Sequence, residues 1–274
     1  MRARPITVHD VTAATASRSQ SPVGELLRQW RERRRISQLD LSIQADISSR
    51  HLSFVETGRS QPSRDMVLHL ADNLDVPLRE RNHLLLAAGF APVFGETSLD
   101  APQMAAVRQA IRLVLKAHEP YPAVVIDRAW NLVDANATVA LLTAGAAPSL
   151  LEPPANVLRL SLHPDGIAPR IVNLGEWRAH LLARLRREIA VTGDPGLAEL
   201  YDELRGYPCD QPDVDVPSPG EVVVPLRIRT EAGELSFFGT VATFGTPLDV
   251  TVAELSIESF FPADAQTAEA LRSV

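Results

Sequence analysis

Between Val23 and Gly89 apolar residues recur at three- and four-residue intervals, punctuated by capping residues, a pattern that predicts a string of short amphipathic helices. Val23, Leu26, Leu27 and Trp30 form the apolar stripe of a first helix, about Val23 to Arg34. Arg28, Arg31, Arg33, Arg34 and Arg35 crowd its end, where cations suit the helix dipole. Ser37 caps a second helix with Gln38 in its first turn and Leu41 and Ala45 facing inward, and Asp46 takes a turn that favours a short side chain able to go left-handed. Ser48 caps a third helix, which Gly58 stops at positive φ. Leu52 and Val55 give that helix a buried face, while Arg50, Ser53, Phe54 and Thr57 fall at i, i+3, i+4 and i+7 on the other. A forked cation, hydroxyls and an aromatic ring on one exposed face describe a contact surface. Ser63 caps a fourth helix with Met66, Val67, Leu70 and Leu74 on one side, and Pro77 opens a fifth that ends at Gly89. Five short helices with tight connections predict a compact all-α domain over residues 21–92.

The period then changes. Residues 1–20 are rich in Ser, Thr and Ala without apolar periodicity and read as a disordered arm, and residues 93–101 read as a linker. Pro102 to His118 has helical spacing. Ala123 to Ile126 and Trp130 to Val133 are β-rich runs flanking a turn, Asn136 is placed to cap a short helix through Leu142, and helices are expected near Leu158, over Leu174 to Ala190 and over Gly196 to Arg205. Strand candidates run from Val222 to Thr230, Leu235 to Phe244 and Asp249 to Phe260, followed by a last helix opened by Pro262 and Asp264. Two strands, helices and three antiparallel strands is the order of a PAS-like domain, an antiparallel five-stranded sheet with helices around a pocket, over residues 102–274.

Charge sharpens this division. Residues 1–92 carry 13 Arg against 10 acids, a net of +3, whereas the remainder carries a net of −10. A basic front on an acidic body points to a polyanion meeting only the front. The single cysteine, Cys209, rules out an intrachain disulfide, and neither a signal-peptide core nor a membrane-length apolar run is present, so the cytoplasm is the expected compartment. No Gly-rich phosphate loop, zinc-binding His pattern or nucleophile elbow occurs, so neither enzyme nor cofactor is expected.

The segment SQLDLSIQADISSRHLSFVETGRSQPSRDMVLHLADNLDV resembles the helix-turn-helix of lambda-repressor-like, XRE-type regulators through Ser37-Gln38, Leu41, Ile47-Ser48, Glu56, Gly58, Pro62, Leu70 and Ala71. Ser42 and Asp46 depart from its usual Ala and Gly. The resemblance implies that Ser48, Ser49, Arg50 and Phe54 meet bases in a major groove, with Arg50 forking onto guanine and Phe54 packing on a thymine methyl. It also implies that Gln38 positions the phosphate backbone, that Arg59 and Gln61 touch the same strand, and that Glu56 pairs with Arg31 in a structural ion pair. Ser53 joins this set from its place on the outer face. Leu39 and Ile43, apolar where this family is usually polar, are either tolerated surface residues or a contact with the second domain or another subunit.

YPAVVIDRAWNLVDAN, LLARLRREIAVTGDP and TFGTPLDVTVAELSIESFFPAD resemble the ligand-binding domain of MmyB-like regulators. That resemblance implies a sensor for a small apolar molecule, a fatty acid or other lipid-like acid. Trp177, Leu181, Phe237 and Val241 are candidate lining residues, each more readily read as plain core, and His163 and Arg170 are candidate partners for a ligand carboxylate, residue types more often structural in such places. The expected protein is a dimeric, ligand-responsive regulator of a pseudo-palindromic operator. A helix-turn-helix fused to an enzyme domain and a constitutive repressor with a purely dimerising second domain are the alternatives.

Overall fold

The computed structural model describes residues 23–212, 223–231 and 233–272. Five helices come first: α1 (Val23–Arg33), α2 (Gln38–Gln44), α3 (Ser49–Glu56), α4 (Arg64–Asn73) and α5 (Leu78–Ala87). Three begin at the serines that the sequence marks as caps. Ser37, Ser48 and Ser63 accept hydrogen bonds from the backbone N–H groups of Asp40, His51 and Met66, donors that a first helical turn leaves unpaired. Asp46 at φ 49° and Gly58 at φ 71° supply the left-handed residues that turn the chain into and out of α3. Leu27, Trp30, Leu41, Leu52, Leu70 and Leu84 anchor one core.

Two contacts fix α3 against α1. Gly24 lets the helices approach so closely that a Cβ there would lie 2.1 Å from the Val55 carbonyl oxygen. One helical face further on, Arg31 forks onto Glu56, Nε to Oε1 at 2.7 Å and Nη2 to Oε2 at 2.9 Å, with a third bond from Nη1 to the Ile36 carbonyl. The ion pair implied by the resemblance is therefore present, and it is buried.

The second part begins with a 3₁₀ turn (Pro102–Met104) and α6 (Ala105–Ala117). It continues through β1 (Ala123–Ile126), β2 (Leu132–Ala135), α7 (Val139–Thr143), α8 (Pro148–Leu151), α9 (Val157–Leu162), α10 (Leu174–Thr192) and α11 (Pro195–Arg205). It ends with β3 (Leu226–Thr230), β4 (Gly233–Thr243), α12 (Val250–Ala253), β5 (Ser256–Pro262) and α13 (Ala265–Arg272). The five strands form one antiparallel sheet in the order β2-β1-β5-β4-β3. This is the sheet-and-helix architecture expected of a PAS-like domain. Ile111 and Leu115 of α6 pack on Val125 and Ile257 on one face, while α9, α10 and α11 cover the other through Leu158, Trp177, Leu185 and Leu204. Coverage of both faces explains why β1, AVVI, is buried at every position.

Three local readings change. Trp130 does not start a strand; it sits at φ 65° in the turn before β2, where its N–H donates to the Asp127 carbonyl. Asn136 does not cap α7, which starts at Val139 after Thr138. Its buried amide instead accepts from Ala123 N and donates to the Leu115 and Tyr121 carbonyls, tying α6 to β1. The stretch from Asp249 is not strand throughout: Asp249 accepts from Thr251 N and caps α12 before β5 begins at Ser256. The arm expected over residues 1–20 and the predicted strand start at Val222 lie outside the described residues.

The connection between the two parts is strapped down. Asn82 of α5 accepts from Val93 and Phe94 N and donates to the Phe94 carbonyl, and Gly95 pairs with Asp249 in a parallel bridge closed by Val250 N to the Gly95 carbonyl at 2.7 Å. Arg79 of α5 forks onto Glu254 at 2.8 and 2.9 Å, and Arg33 of α1 donates to the Thr192 carbonyl at the end of α10.

Candidate functional site

With Leu52 and Val55 buried in the bundle, α3 turns Ser49, Arg50 and Ser53 outward and leaves Phe54 half-exposed. The Phe54 ring is flanked by two guanidiniums, with Arg50 5.3 Å and Arg59 5.9 Å from its centroid. Ser48 and Gln61 are exposed at either end of this face. The structure thus brings Ser48, Ser49, Arg50, Ser53, Phe54, Arg59 and Gln61 onto one cationic, aromatic surface around α3. Gln38 is oriented differently: its side-chain amide donates to Glu56 Oε2 at 2.7 Å, so it extends the buried Arg31–Glu56 pair inward. Leu39 and Ile43 of α2 are 60% and 69% exposed, so docking onto the second part falls to α5 and α1.

In the second part a cleft of about 340 Å³ lies between α10 and the inner face of the sheet, bordered by Trp177, His180, Leu181 and Arg184 on one side and by Gly239, Val241, Glu258 and Phe260 on the other. Behind it is a smaller apolar pocket of about 80 Å³ walled by residues such as Val124, Trp130, Leu142, Leu158 and Ile167. Trp177, Leu181, Glu258 and Phe260 border both spaces and form the partition between them. Trp177 is fixed by its indole N–H, which donates to Ser161 Oγ at 3.0 Å, and His180 stacks on it at 5.4 Å.

Trp177 and Leu181 thus stand in the partition, and Val241, half exposed, borders the open cleft. Phe237 points to the same face of β4 but is fully buried in the core and reaches neither space. Arg170 and His163 lie elsewhere. Arg170 spends its guanidinium on the backbone carbonyls of Leu141, Leu142, Ala144 and Arg229, and desolvation by burial lowers its pKa. His163 accepts from Asp165 N and meets the Tyr207 ring edge-on. Neither faces the cleft.

The polar groups at the partition were not singled out from the sequence. Arg184 lies over the Trp130 ring at 4.3 Å, approaches Glu258 Oε1 at 2.6 Å and Glu188 Oε1 at 3.5 Å, and Glu188 Oε2 accepts from the Trp130 indole at 2.8 Å. Burial pushes the Glu188 carboxyl above its ordinary range, against the Trp130 hydrogen bond and Arg184. Burial also lowers the His180 pKa, helped by Arg184 and Arg187 and opposed by Glu176, which favours the uncharged imidazole. The i, i+4 spacing of His180, Arg184 and Glu188 on α10 was the available signal: three polar residues one above another on a helix that also carries Trp177 and Leu181.

A groove-sized cationic helix on a five-helix bundle, joined to a sheet-and-helix domain with a partitioned cleft, defines a helix-turn-helix regulator with an appended sensor fold. The family comparisons agree. Residues 22–84 match a helix-turn-helix domain, and residues 107–274 match the MmyB-like transcription regulator ligand binding domain. The second match spans more than half of the chain, which belongs to this family of regulators. The comparison with curated proteins returns no match.

Proposed function

We propose that this protein is a dimeric, sequence-specific DNA-binding regulator whose operator affinity is set by a small apolar ligand with a fatty-acid-like chain, held in the cleft beside α10. Residues 21–92 form the DNA-binding unit, 93–101 the strap and 102–274 the sensor. The observation that carries this reading is the surface formed by Arg50, Phe54 and Arg59, which belongs to no core and has the width and charge of a major-groove reader. Two such helices in a symmetric dimer would read the half-sites of a pseudo-palindrome about one helical turn apart. Ser48, Ser49, Arg50, Ser53 and Phe54 contact bases, and Gln38, Arg59 and Gln61 fix the backbone. The cytoplasm is the compartment that holds such an operator. Among the described residues no helix is long and apolar enough to cross a membrane.

A ligand alters operator affinity only through its different affinity for the two arrangements of the DNA-binding units. We read the second domain as non-enzymatic because its polar groups pair with one another and converge on no reacting centre. The test starts from a random duplex library enriched on the purified protein. A palindromic consensus bound with a steep salt dependence is expected, together with a co-purifying apolar compound in native mass spectrometry that shifts the affinity. Absence of salt-sensitive binding to any duplex overturns the reading.

A further inference from the structure

Most of the sheet's two edges is closed by the chain itself. Leu132 N of β2 donates to the Ala155 carbonyl at 2.7 Å, Asn131 bridges to Asn156, and the remainder of β2 carries the charge of Asp134. At the opposite edge Ile171 bridges to Ile228 of β3, Val172 N donates to the Arg227 carbonyl at 2.8 Å, and Arg170 Nε donates to the Arg229 carbonyl at 3.0 Å. β3, however, starts only at Leu226, opposite Phe237 and directly after Pro225, which has no N–H to continue the ladder. Gly239–Thr243 of β4 therefore have β5 on one side and, among the described residues, no strand on the other. All five are exposed.

Alternate residues of an antiparallel strand point both N–H and C=O to one side, so this stretch turns backbone donors and acceptors to the open edge. Its sequence, GTVAT, has none of the features that blunt such an edge: it lacks charge and proline, and Thr240, Val241 and Thr243 are β-branched and favour extended pairing. A symmetric dimer on a pseudo-palindrome needs a patch that can meet its own copy across a two-fold axis. An antiparallel edge is such a patch. With the axis at Val241, the middle of the five, Gly239 opposes the partner's Thr243 and Thr240 opposes the partner's Ala242. No like charges are opposed there, although residues 93–274 carry a net of −10 and two such bodies repel elsewhere. From this geometry we infer that two copies of this chain dimerise by pairing Gly239–Thr243 edge to edge, joining their five-stranded sheets into one continuous sheet. This rests on the dimeric reading above and assigns its interface. Gly239 and Val241 also border the cleft beside α10, so the partner's Val241 stands at the mouth of that cleft, at the roughly 5 Å spacing of opposed residues.

The test is sedimentation equilibrium of the full-length protein with two paired substitutions. Thr240→Lys with Ala242→Lys opposes like charges twice across the axis and is expected to raise the dimer dissociation constant at least about tenfold. Thr240→Lys with Ala242→Glu opposes unlike charges at the same places and is expected to return it to within about threefold of the unaltered protein. Hydrogen exchange on the unaltered protein is a readout that misfolding of a variant does not affect: the Gly239–Thr243 amides should be protected at high protein concentration and lose that protection on dilution. A dimer in which their exchange is independent of concentration, or which both folded variants weaken alike or leave unchanged, overturns the inference and leaves the dimeric reading standing. A chain that is monomeric at every concentration removes both.

Discussion

At the scale of single residues, the two ion-pair systems have opposite consequences. Arg31 and Glu56 are both almost fully buried and satisfy each other in a fork, with Gln38 as a third member. Removing one partner leaves the other as an uncompensated buried charge, so Glu56→Ala should cost about 3–5 kcal/mol of stability in urea denaturation. Phe54 behaves differently. Its ring lies between Arg50 and Arg59 and orients both, so Phe54→Leu should leave the melting temperature nearly unchanged. Operator affinity should fall by about 0.5–1 kcal/mol for each arginine released, as read by fluorescence anisotropy, and Phe54→Tyr should restore it. Arg50→Ala should lose about 1–3 kcal/mol at one base pair per half-site, visible as relaxed preference at that position only. A uniform loss across all sequences would instead make Arg50 a phosphate contact.

At the scale of elements, what was legible in the sequence was what is local. A serine three residues before the backbone N–H it caps, a left-handed Asp46 and an amphipathic repeat are signals confined to one turn, and the helix starts they mark are found within a residue. Asn136 was misjudged because its partners are distant, the Leu115 carbonyl among them, whereas Trp130 was misjudged because a left-handed turn closed onto the Asp127 carbonyl leaves no mark in a β-rich run. The cleft was partly hidden for the same reason. Trp177 and Leu181 advertise themselves as apolar helix positions, whereas Glu258 on a strand and Arg184 on a helix gain meaning only when the fold brings them to 2.6 Å. Gly24 was passed over because nothing in its neighbourhood predicts the Val55 carbonyl against it. Alanine for glycine within a helix ordinarily stabilises by about 0.5–1 kcal/mol. Gly24→Ala should instead destabilise by about 1–3 kcal/mol, because the new methyl group must push α1 away from the helix that carries the DNA face. Circular dichroism melting separates the two outcomes by sign.

At the scale of the whole molecule, the question is how the cleft and the DNA face are connected. Helix α10 runs the distance: it carries Trp177, Leu181 and Arg184 at the cleft and ends at Thr192, whose carbonyl accepts from Arg33 of α1. Just beyond, Asp194 pairs with Arg128, Arg128 pairs with Glu254, and Glu254 takes the fork of Arg79 from α5. A displacement of α10 at the cleft therefore reaches both helices that dock the DNA-binding unit, through contacts that are polar, partly solvated and individually weak. Such contacts suit a junction with two arrangements close in free energy, since each can be exchanged for water at small cost. Arg79→Ala should leave both ligand affinity and the fold of each part intact, because Arg79 lies on neither the cleft nor the bundle core. It should, however, uncouple the two: the factor by which ligand changes operator affinity should fall towards one, and the radius of gyration in X-ray solution scattering should rise as the DNA-binding unit swings on its strap. By reciprocity the same substitution should erase the effect of operator DNA on ligand affinity, so titrations run in both directions must report the same lost coupling. Undiminished coupling in the Arg79→Ala protein would move the connection to the Arg33–Thr192 contact.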